Sequence, residues 1–272
     1  MKASASVVFV WGTLLAVPVA AHAPDSPSDV PDDARDDQYD DRRSLHASAD
    51  PVQFLPGAVA AASGAHHAVG FGWGGYDAAT HDPLLGANVE AALSARLVIG
   101  AGVTYAAATN AQPAAARPSV IARFQVLDQR SHGLDAGVAV GYGQERFVEE
   151  QGFFRASLAG GWRSDRATLL ANLGYSQDGE GDDHEGDVRL AGLYRVRGNL
   201  HLGLDGRVRK LLDSTDPNRA QHGTPSLEFT LGPVAALTTR SWALLVATGV
   251  SGVRRETLQT GAIVIGGVGT VF

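Results

Sequence analysis

The sequence of 272 residues contains no cysteine and a single methionine, and only 7% of its residues are aromatic. Without cysteine there is no disulfide and no thiolate zinc site, so stability has to come from packing or from a closed backbone hydrogen-bond network. The sequence also lacks a Gly-x-x-x-x-Gly-Lys-Ser/Thr loop, which excludes a P-loop nucleotide site. A formal net charge of -7 argues against nucleic acid as a partner.

Long hydrophobic runs are missing as well. Beyond residue 23 no stretch approaches the roughly 18 consecutive apolar residues that indicate a transmembrane helix. Hydrophobic residues make up 44% of the chain, which does not resemble a helical membrane protein. Transmembrane β-barrels have such an ordinary composition because half of each strand faces a polar interior. The mature chain is therefore predicted to be either soluble or a barrel.

The first 23 residues have the features of a secretory signal peptide. A basic Lys2 is followed by an uncharged run over residues 7–19 and by a small-residue triplet that ends at Ala23. The run is too short for a membrane anchor, which needs roughly 17 to 25 apolar residues, and the triplet is typical of a cleavage site. We predict that residues 1–23 are removed and that the protein is exported.

Residues 24–50 are rich in Asp and Pro and contain almost no branched aliphatic side chains, so they cannot bury enough surface to order themselves. With the Ala- and Gly-rich segment 51–66, they are predicted to form a disordered acidic leader and linker. The Asp residues lack the spacing of a calcium loop, and we predict neither a metal site nor a cofactor. One hypothesis is that the leader enters a basic barrel lumen and blocks it.

The rest of the chain, residues 67–272, alternates apolar and polar side chains with a period of two, which indicates β-strands. Each alternating segment is close to the roughly 9 to 11 residues that a tilted strand needs to cross a bilayer. The predicted segments are 67–76, 84–94, 97–108, 118–129, 134–145, 152–164, 167–177, 187–198, 199–210, 224–238, 240–251 and 260–272.

The connections between these segments differ in length in a regular way. Tight connections follow the even segments, at residues 95–96, 130–133, 165–166, 198–199 and 239–240. Longer and more polar connections follow the odd segments, at residues 77–83, 109–117, 146–151, 178–186, 211–223 and 252–259. This alternation is typical of short periplasmic turns and longer external loops. We predict an all-β fold, a single closed antiparallel transmembrane barrel of about 12 strands, with 10 to 14 compatible with the pattern.

The alternation also predicts which face of each strand meets lipid. A twelve-stranded lumen is too wide to be filled by its own side chains, so the apolar residues are expected to face outward. Aromatic residues concentrate near the segment ends, as in the interface girdles of such barrels. The predicted girdle consists of Trp73, Tyr105, Tyr142, Trp162, Tyr175, Trp242 and Phe272.

The last segment, GAIVIGGVGTVF, ends on Phe272 and has apolar residues at alternate positions before it, among them Val268 and Val264. It resembles the C-terminal strand of Gram-negative outer-membrane β-barrel proteins. The resemblance implies localisation in the cell outer membrane, contact with outer-membrane lipid and recognition by the barrel-assembly machinery. It concerns the architecture of the barrel and assigns no functional motif.

Charged residues opposite the apolar face are candidates for lining a pore. Guanidinium groups in a narrow aqueous pore raise the local concentration of anions and bind carboxylate or phosphate. The predicted pore-lining residues are Arg123, Arg155, Arg189, Arg195, Arg197, His201, Asp205, Arg207, Arg209, Glu90 and Glu228. They favour a porin-like channel for passive diffusion of small anionic or polar solutes. In strand number and pore charge this resembles the small twelve-stranded porins for acidic oligosaccharides.

Two alternatives remain open at the level of the sequence. The inward arginines could pair with Glu90, Asp187, Asp205 and Glu228 and close the lumen, which would give a structural barrel without transport. An outer-membrane hydrolase would need a rim site, for which His81-Asp82, Asp182-Asp183-His184 and His222 are candidates because a histidine beside carboxylates can act as a general base. Their spacing matches no catalytic signature, so no catalytic residue is assigned and the chain is not predicted to be an enzyme.

Overall fold

The computed structural model describes residues 68–106, 115–144, 152–179, 183–215, 225–239 and 241–271. The predicted signal peptide and the predicted acidic leader lie outside these ranges. Twelve strands are present: β1 (Ala68–Asp77), β2 (Asp82–Ala92), β3 (Leu97–Ala106), β4 (Ala115–Leu127), β5 (Asp135–Gln144), β6 (Gly152–Arg163), β7 (Ala167–Asp178), β8 (Asp183–Arg197), β9 (Leu200–Ser214), β10 (Leu227–Thr238), β11 (Trp242–Arg254) and β12 (Leu258–Val271). A one-turn helix, α1 (Gln129–His132), joins β4 to β5.

The strands form one closed antiparallel barrel in which each strand pairs with its neighbours in sequence. The first and last strands complete the circle, with a register that runs from Val69 opposite Val271 to Asp77 opposite Ile263. Closure satisfies the backbone groups that an open sheet would leave at its edges. The predicted architecture of a single twelve-stranded barrel is thus confirmed.

The distribution of side chains is the reverse of that in a soluble barrel. Large apolar residues are exposed on the outer surface, where Leu190 and Leu204 have 62% and 61% of their surface accessible. Polar residues at alternate positions are buried inside, with Arg189 at 3% and Asn172 at 4%. An apolar belt outside and a polar wall inside is the arrangement of a transmembrane β-barrel. Within the described ranges, no helix has both the length and the apolar character needed to cross a membrane.

The two ends of the barrel are called here the turn end and the loop end. The turn end carries the connections 93–96, 128–134, 164–166, 198–199 and 239–241. The loop end carries the others, and several of these are shorter than expected: residues 78–81 follow β1 and residues 255–257 follow β11. The strict alternation of short and long connections predicted from the sequence is therefore not observed.

The difference arises because several strands extend past their predicted ends at the loop end. The β8–β9 hairpin shows it best, since Asp183 pairs with Ser214 and Glu185 pairs with Leu211 beyond the predicted strand limits. Polar side chains led to the prediction of loops there. A strand that continues past the apolar belt keeps its backbone ladder while its side chains face water, so polar side chains do not end it.

The connection after β1 folds over the seam where the barrel closes. The carboxylate of Asp77 accepts a hydrogen bond from the Ala79 backbone N–H at 2.8 Å and another from the Ser251 hydroxyl at 2.5 Å. The Ala78 N–H donates to the carbonyl of Ala262 at 2.9 Å. These bonds tie the loop end of β1 to β11 and β12.

Candidate functional site

The main cluster of charged side chains lies on the inner wall towards the loop end. It is centred on Asp187 of β8, whose two carboxylate oxygens accept hydrogen bonds from Arg155 Nη2 at 2.9 and 3.0 Å. Arg207 of β9 approaches the same carboxylate from the other side, with Nε at 3.7 Å from Oδ2. One buried carboxylate is therefore shared by two guanidinium groups, in a contact network that we call the arginine cluster.

The pairing of Arg155 with Asp187 spans an intervening strand. Arg155 is on β6 and Asp187 is on β8, and between them Gly174 of β7 is the register partner of Asp187. A Cβ atom at Gly174 would overlap the Asp187 carboxylate. Because glycine leaves this part of the inner wall without a side chain, the carboxylate can lie across β7 and reach the arginine beyond it.

Three further ion pairs extend the arginine cluster along β8, β9 and β10. Arg189 binds both oxygens of Asp205, with Nε to Oδ1 at 2.9 Å and Nη2 to Oδ2 at 2.6 Å, a geometry typical of a strong bidentate pair. Arg209 lies between two glutamates, 3.6 Å from Glu185 and 3.5 Å from Glu228. The predicted residues Arg155, Arg189, Asp205, Arg207, Arg209 and Glu228 thus meet in one place.

Within the arginine cluster the cations are more accessible than the central anion. The side chain of Asp187 is 5% exposed, whereas those of Arg155, Arg207 and Arg209 are 23%, 26% and 36% exposed. The Nε atom of Arg207 is buried and has no hydrogen-bond partner in the described part of the chain. A solute that reached this wall would therefore meet guanidinium groups before it met the Asp187 carboxylate.

A second polar group lines the inner wall on the other side of the barrel. Arg123 of β4 forms an ion pair with Glu90 of β2, across the glycine-containing strand β3. Nearer the turn end, Asp135 accepts a hydrogen bond from Gln125 Nε2 at 3.1 Å and lies 3.8 Å from an Arg163 nitrogen. Arg123 and Glu90 lie on the inner wall as predicted, but they form an ion pair with each other.

Three predicted pore residues lie at the turn end. His201 is buried, and its Nδ1 is 3.1 Å from the carbonyl oxygen of Asn199. Arg195 and Arg197 are exposed beside the β6–β7 turn, and the register of β8 with β9 shifts between them. Arg195 is the register partner of the buried His201, so it lies on the inner face at the turn end of the pore wall. The register shift after it pairs Arg197 with the outward Leu200, so the inward position predicted for Arg197 is wrong.

The predicted aromatic girdle divides into three groups. Tyr105, Tyr142, Trp162, Tyr175 and Trp242 lie on the outer surface, with Tyr142 less exposed than the others and packed against Phe154 at a ring-centroid distance of 4.9 Å. Trp73 is instead on the inner wall, where its ring covers Gly86. The interface position predicted for Trp73 is therefore wrong. The side chain of Phe272 lies outside the described residues.

Trp73 belongs to an apolar cluster that the sequence analysis did not predict. The cluster lies on the inner wall of the turn-side half and joins strands on several sides of the barrel. Its buried members are Val69, Phe71, Leu170, Ala191, Leu193, Val234, Ala243 and Leu245. The sequence does contain one indication of this cluster: β1, β10 and β11 carry apolar residues at both alternating positions. The alternation therefore does not show which side chains of these strands face the lumen.

The rim residues considered for a hydrolase show one close contact. The hydroxyl of Tyr175 lies 2.5 Å from His184 Nδ1, while the hydroxyl of Tyr76 lies 3.5 Å from His81 Nδ1. His222 is outside the described ranges. Among the residues that the structure describes, no group of three or more His, Asp or Glu side chains is arranged to hold a metal ion.

Comparison with known proteins shows similarity at the level of fold. No protein-family model matches the chain, and no curated protein matches it in sequence. The NanC porin superimposes with a TM-score of 0.52 and 12% sequence identity, over 74% of this chain and 98% of its own. An outer membrane channel from Pseudomonas putida F1 superimposes with a TM-score of 0.50 and 11% identity, over 77% of this chain and 96% of its own. At these identities the likeness establishes the barrel fold alone.

Proposed function

We propose that this chain forms an outer-membrane channel for the passive diffusion of small polar solutes, with a preference for anions. The single observation that carries the anion preference is the structure of the arginine cluster. The side chain of its central carboxylate, Asp187, is 5% exposed, whereas those of Arg155 and Arg207 are 23% and 26% exposed. The guanidinium groups are therefore more accessible from the lumen than the carboxylate. Guanidinium groups that are exposed on the wall of an aqueous pore raise the local concentration of anions and lower that of cations.

Membrane insertion is supported by the distribution of side chains. The outer surface exposes leucine, valine and aromatic side chains on every side, and a soluble protein does not leave so large an apolar surface in water. The exposed tryptophans Trp162 and Trp242 lie near the turn end of this belt, at the height where aromatic rings meet lipid headgroups. Together with the predicted signal peptide, these features support placement in the outer membrane.

The anion preference can be tested by removing two accessible guanidinium groups. Removing a charge about 4 Å from a passing ion changes its energy by about 1 kcal/mol in water, which is about fivefold in local concentration. We therefore expect the double variant Arg207→Ser with Arg209→Ser to lower the chloride-to-potassium permeability ratio by about fivefold or more. The measurement is the reversal potential of the refolded protein in planar bilayers across a potassium chloride gradient.

A matched control is available on the same strand. Lys210 follows Arg209 and points to the opposite, exposed face, so Lys210→Ser removes one positive charge without changing the inner wall. This variant should keep the selectivity of the unmodified protein. Equal permeability of chloride and potassium in the unmodified protein, or an unchanged ratio in the double variant, would refute the proposed role of the arginine cluster.

One observation favours a second candidate, a structural barrel that does not conduct. Val234 and Leu245 of the inner apolar cluster are almost completely buried although they lie on the lumen side of their strands. Tightly packed apolar side chains in the turn-side half would hinder the passage of hydrated ions. The absence of conductance steps in bilayers that contain correctly folded protein would favour this candidate over the channel.

A further inference from the structure

The inner wall opposite the arginine cluster carries no charge. In a closed barrel of twelve strands, each strand lies opposite the strand six positions further round, so β12 is opposite β6 and β1 is opposite β7. Residues 263–269 of β12 and 69–75 of β1 consist entirely of apolar side chains and glycine. The lumen therefore has a charged side, formed by β6 to β9, and an apolar side, formed by β12 and β1.

Strand register shows which apolar side chains face the lumen. Trp73 of β1 is two positions from the buried Phe71 and packs against the inner apolar cluster. On β12, Ile265 is the register partner of Gly75 and alternates with Val264, which is exposed on the outer surface. Ile263 lies on the same inner face as Ile265, two positions nearer the loop end. These three inward residues, Trp73, Ile263 and Ile265, form what we call the apolar strip.

The indole ring of Trp73 is held flat against the wall by a glycine on the neighbouring strand. Gly86 of β2 is the register partner of Trp73, and a Cβ atom at this position would overlap the indole ring. Because Gly86 has no side chain, the ring can lie over the backbone of β2. Trp73 is only partly buried, so part of the ring remains accessible from the lumen. A partly exposed indole ring is a suitable surface for an apolar or aromatic group.

The carboxylates on the strands of the apolar side are already engaged. Asp77 accepts a hydrogen bond from the Ser251 hydroxyl at 2.5 Å, and Glu90 forms an ion pair with Arg123. The apolar strip itself contains one polar side-chain atom, the indole nitrogen of Trp73. A solute with many hydroxyl groups would lose hydrogen bonds to water here without replacing them, whereas a hydrocarbon group would gain by leaving water.

We infer that the solutes of this channel are amphipathic organic anions, that is, carboxylates that carry a hydrocarbon body. The carboxylate meets the accessible guanidinium groups of Arg207 and Arg209 on one side of the lumen. The hydrocarbon body lies along the apolar strip on the other side. The inference rests on the proposed channel function and names its substrate class, because an inorganic anion or a sugar acid would use the charged side alone.

The test compares two six-carbon monocarboxylates, hexanoate and gluconate, which are both ionised at neutral pH and differ in their hydroxyl groups. Their permeabilities relative to chloride are obtained from reversal potentials of the refolded protein in planar bilayers. Neutral acid that crosses the lipid carries no current and does not affect this measurement. Moving one methylene group from water to an apolar surface changes partition by about fourfold. We therefore expect the hexanoate-to-gluconate permeability ratio to exceed the ratio of their aqueous mobilities by about fourfold or more.

Two double variants of similar side-chain size separate the polarity of the wall from the width of the lumen. Trp73→Gln with Ile265→Gln makes the apolar strip polar and should reduce the ratio to that of the aqueous mobilities. Trp73→Leu with Ile265→Leu widens the lumen to a similar extent, keeps it apolar and should retain the preference for hexanoate. Neither changes a charge, so both should keep the chloride-to-potassium ratio of the unmodified protein. Ile265→Thr, a smaller change, should lower the hexanoate preference in the same direction.

Heat-dependent migration in gel electrophoresis shows which variants form the folded barrel. A hexanoate-to-gluconate ratio equal to the mobility ratio in the unmodified protein, with chloride still preferred over potassium, would overturn the inference and leave the channel proposal intact. Equal losses of the preference in the Gln and Leu double variants would also overturn it, because the width of the lumen would then be responsible. A complete absence of ionic current would overturn the channel proposal and this inference with it.

Discussion

Asp187→Asn is expected to lower the free energy of unfolding of the barrel by about 3 kcal/mol, because it leaves the guanidinium groups of Arg155 and Arg207 without their shared carboxylate in a buried position. Urea unfolding of the protein in lipid vesicles, followed by tryptophan fluorescence, measures the change. The same substitution removes a negative charge from the inner wall. It should therefore also shift the reversal potential of a conducting barrel further towards anion selectivity.

Asp213→Asn provides the control for this prediction. Asp213 is an exposed carboxylate at the loop end of β9, and its neutralisation should change the free energy of unfolding by less than about 0.5 kcal/mol. If Asp187→Asn is no more destabilising than Asp213→Asn, the ion pairs of Asp187 do not stabilise the barrel.

Gly174→Ala tests the same contact without changing any charge. The added methyl group would occupy the position of the Asp187 carboxylate and force it away from Arg155. The variant should therefore reproduce a large part of the stability loss of Asp187→Asn. Combining the two substitutions should cost less than the sum of their separate effects, since both disrupt one interaction.

Leu245→Ala is expected to destabilise the barrel by about 3 kcal/mol, the usual cost of truncating a fully buried leucine. Its side chain is 2% exposed within the inner apolar cluster. Combined with Phe71→Ala, which removes the ring that covers Gly267, the change should widen the turn-side half of the lumen. Single-channel recordings of the double variant should show a larger conductance than those of the unmodified protein.

The neighbouring residue provides the matched control for this prediction. Leu244 precedes Leu245 on β11 but is exposed on the outer surface, so Leu244→Ala is the same chemical change on the lipid side and should leave conductance unchanged. If the double variant has the same conductance as the unmodified protein, the apolar cluster does not restrict the lumen. An unmodified barrel that is silent, beside a double variant that conducts, would identify the cluster as the barrier to transport.

The sequence alone was sufficient to predict the barrel and its strand number. Alternation with a period of two is a local property, and it requires that successive side chains of a strand face opposite sides. Where one set is apolar and the other charged, as for Leu204 and Asp205 on β9, the pattern directly predicts which side chains face outward and which face the lumen. The apolar outer surface and the inward position of the arginines on β9 could therefore be predicted without coordinates. The signal peptide and the acidic leader stay predictions.

Local alternation does not determine a face when both sets of side chains are apolar. On β1 the glycines at alternate positions gave no polarity signal, and Trp73 was assigned to the lipid interface. The structure places it inside, against the cluster of Phe71 and Leu245. A bulge similarly changed the position of Arg197, because one extra residue in a strand interrupts the alternation that follows it.

The sequence by itself determined that charged residues of β8 and β9 line the barrel, and only the tertiary structure decided which of them interact and that an apolar cluster lines the turn-side half. Arg155 and Asp187 are 32 positions apart in the chain and are separated by a whole strand. They meet because barrel curvature brings inner side chains together and because Gly174 between them has no side chain. Strand pairing and curvature are properties of the closed sheet, so no local pattern could have selected Asp187 as the centre of the arginine cluster.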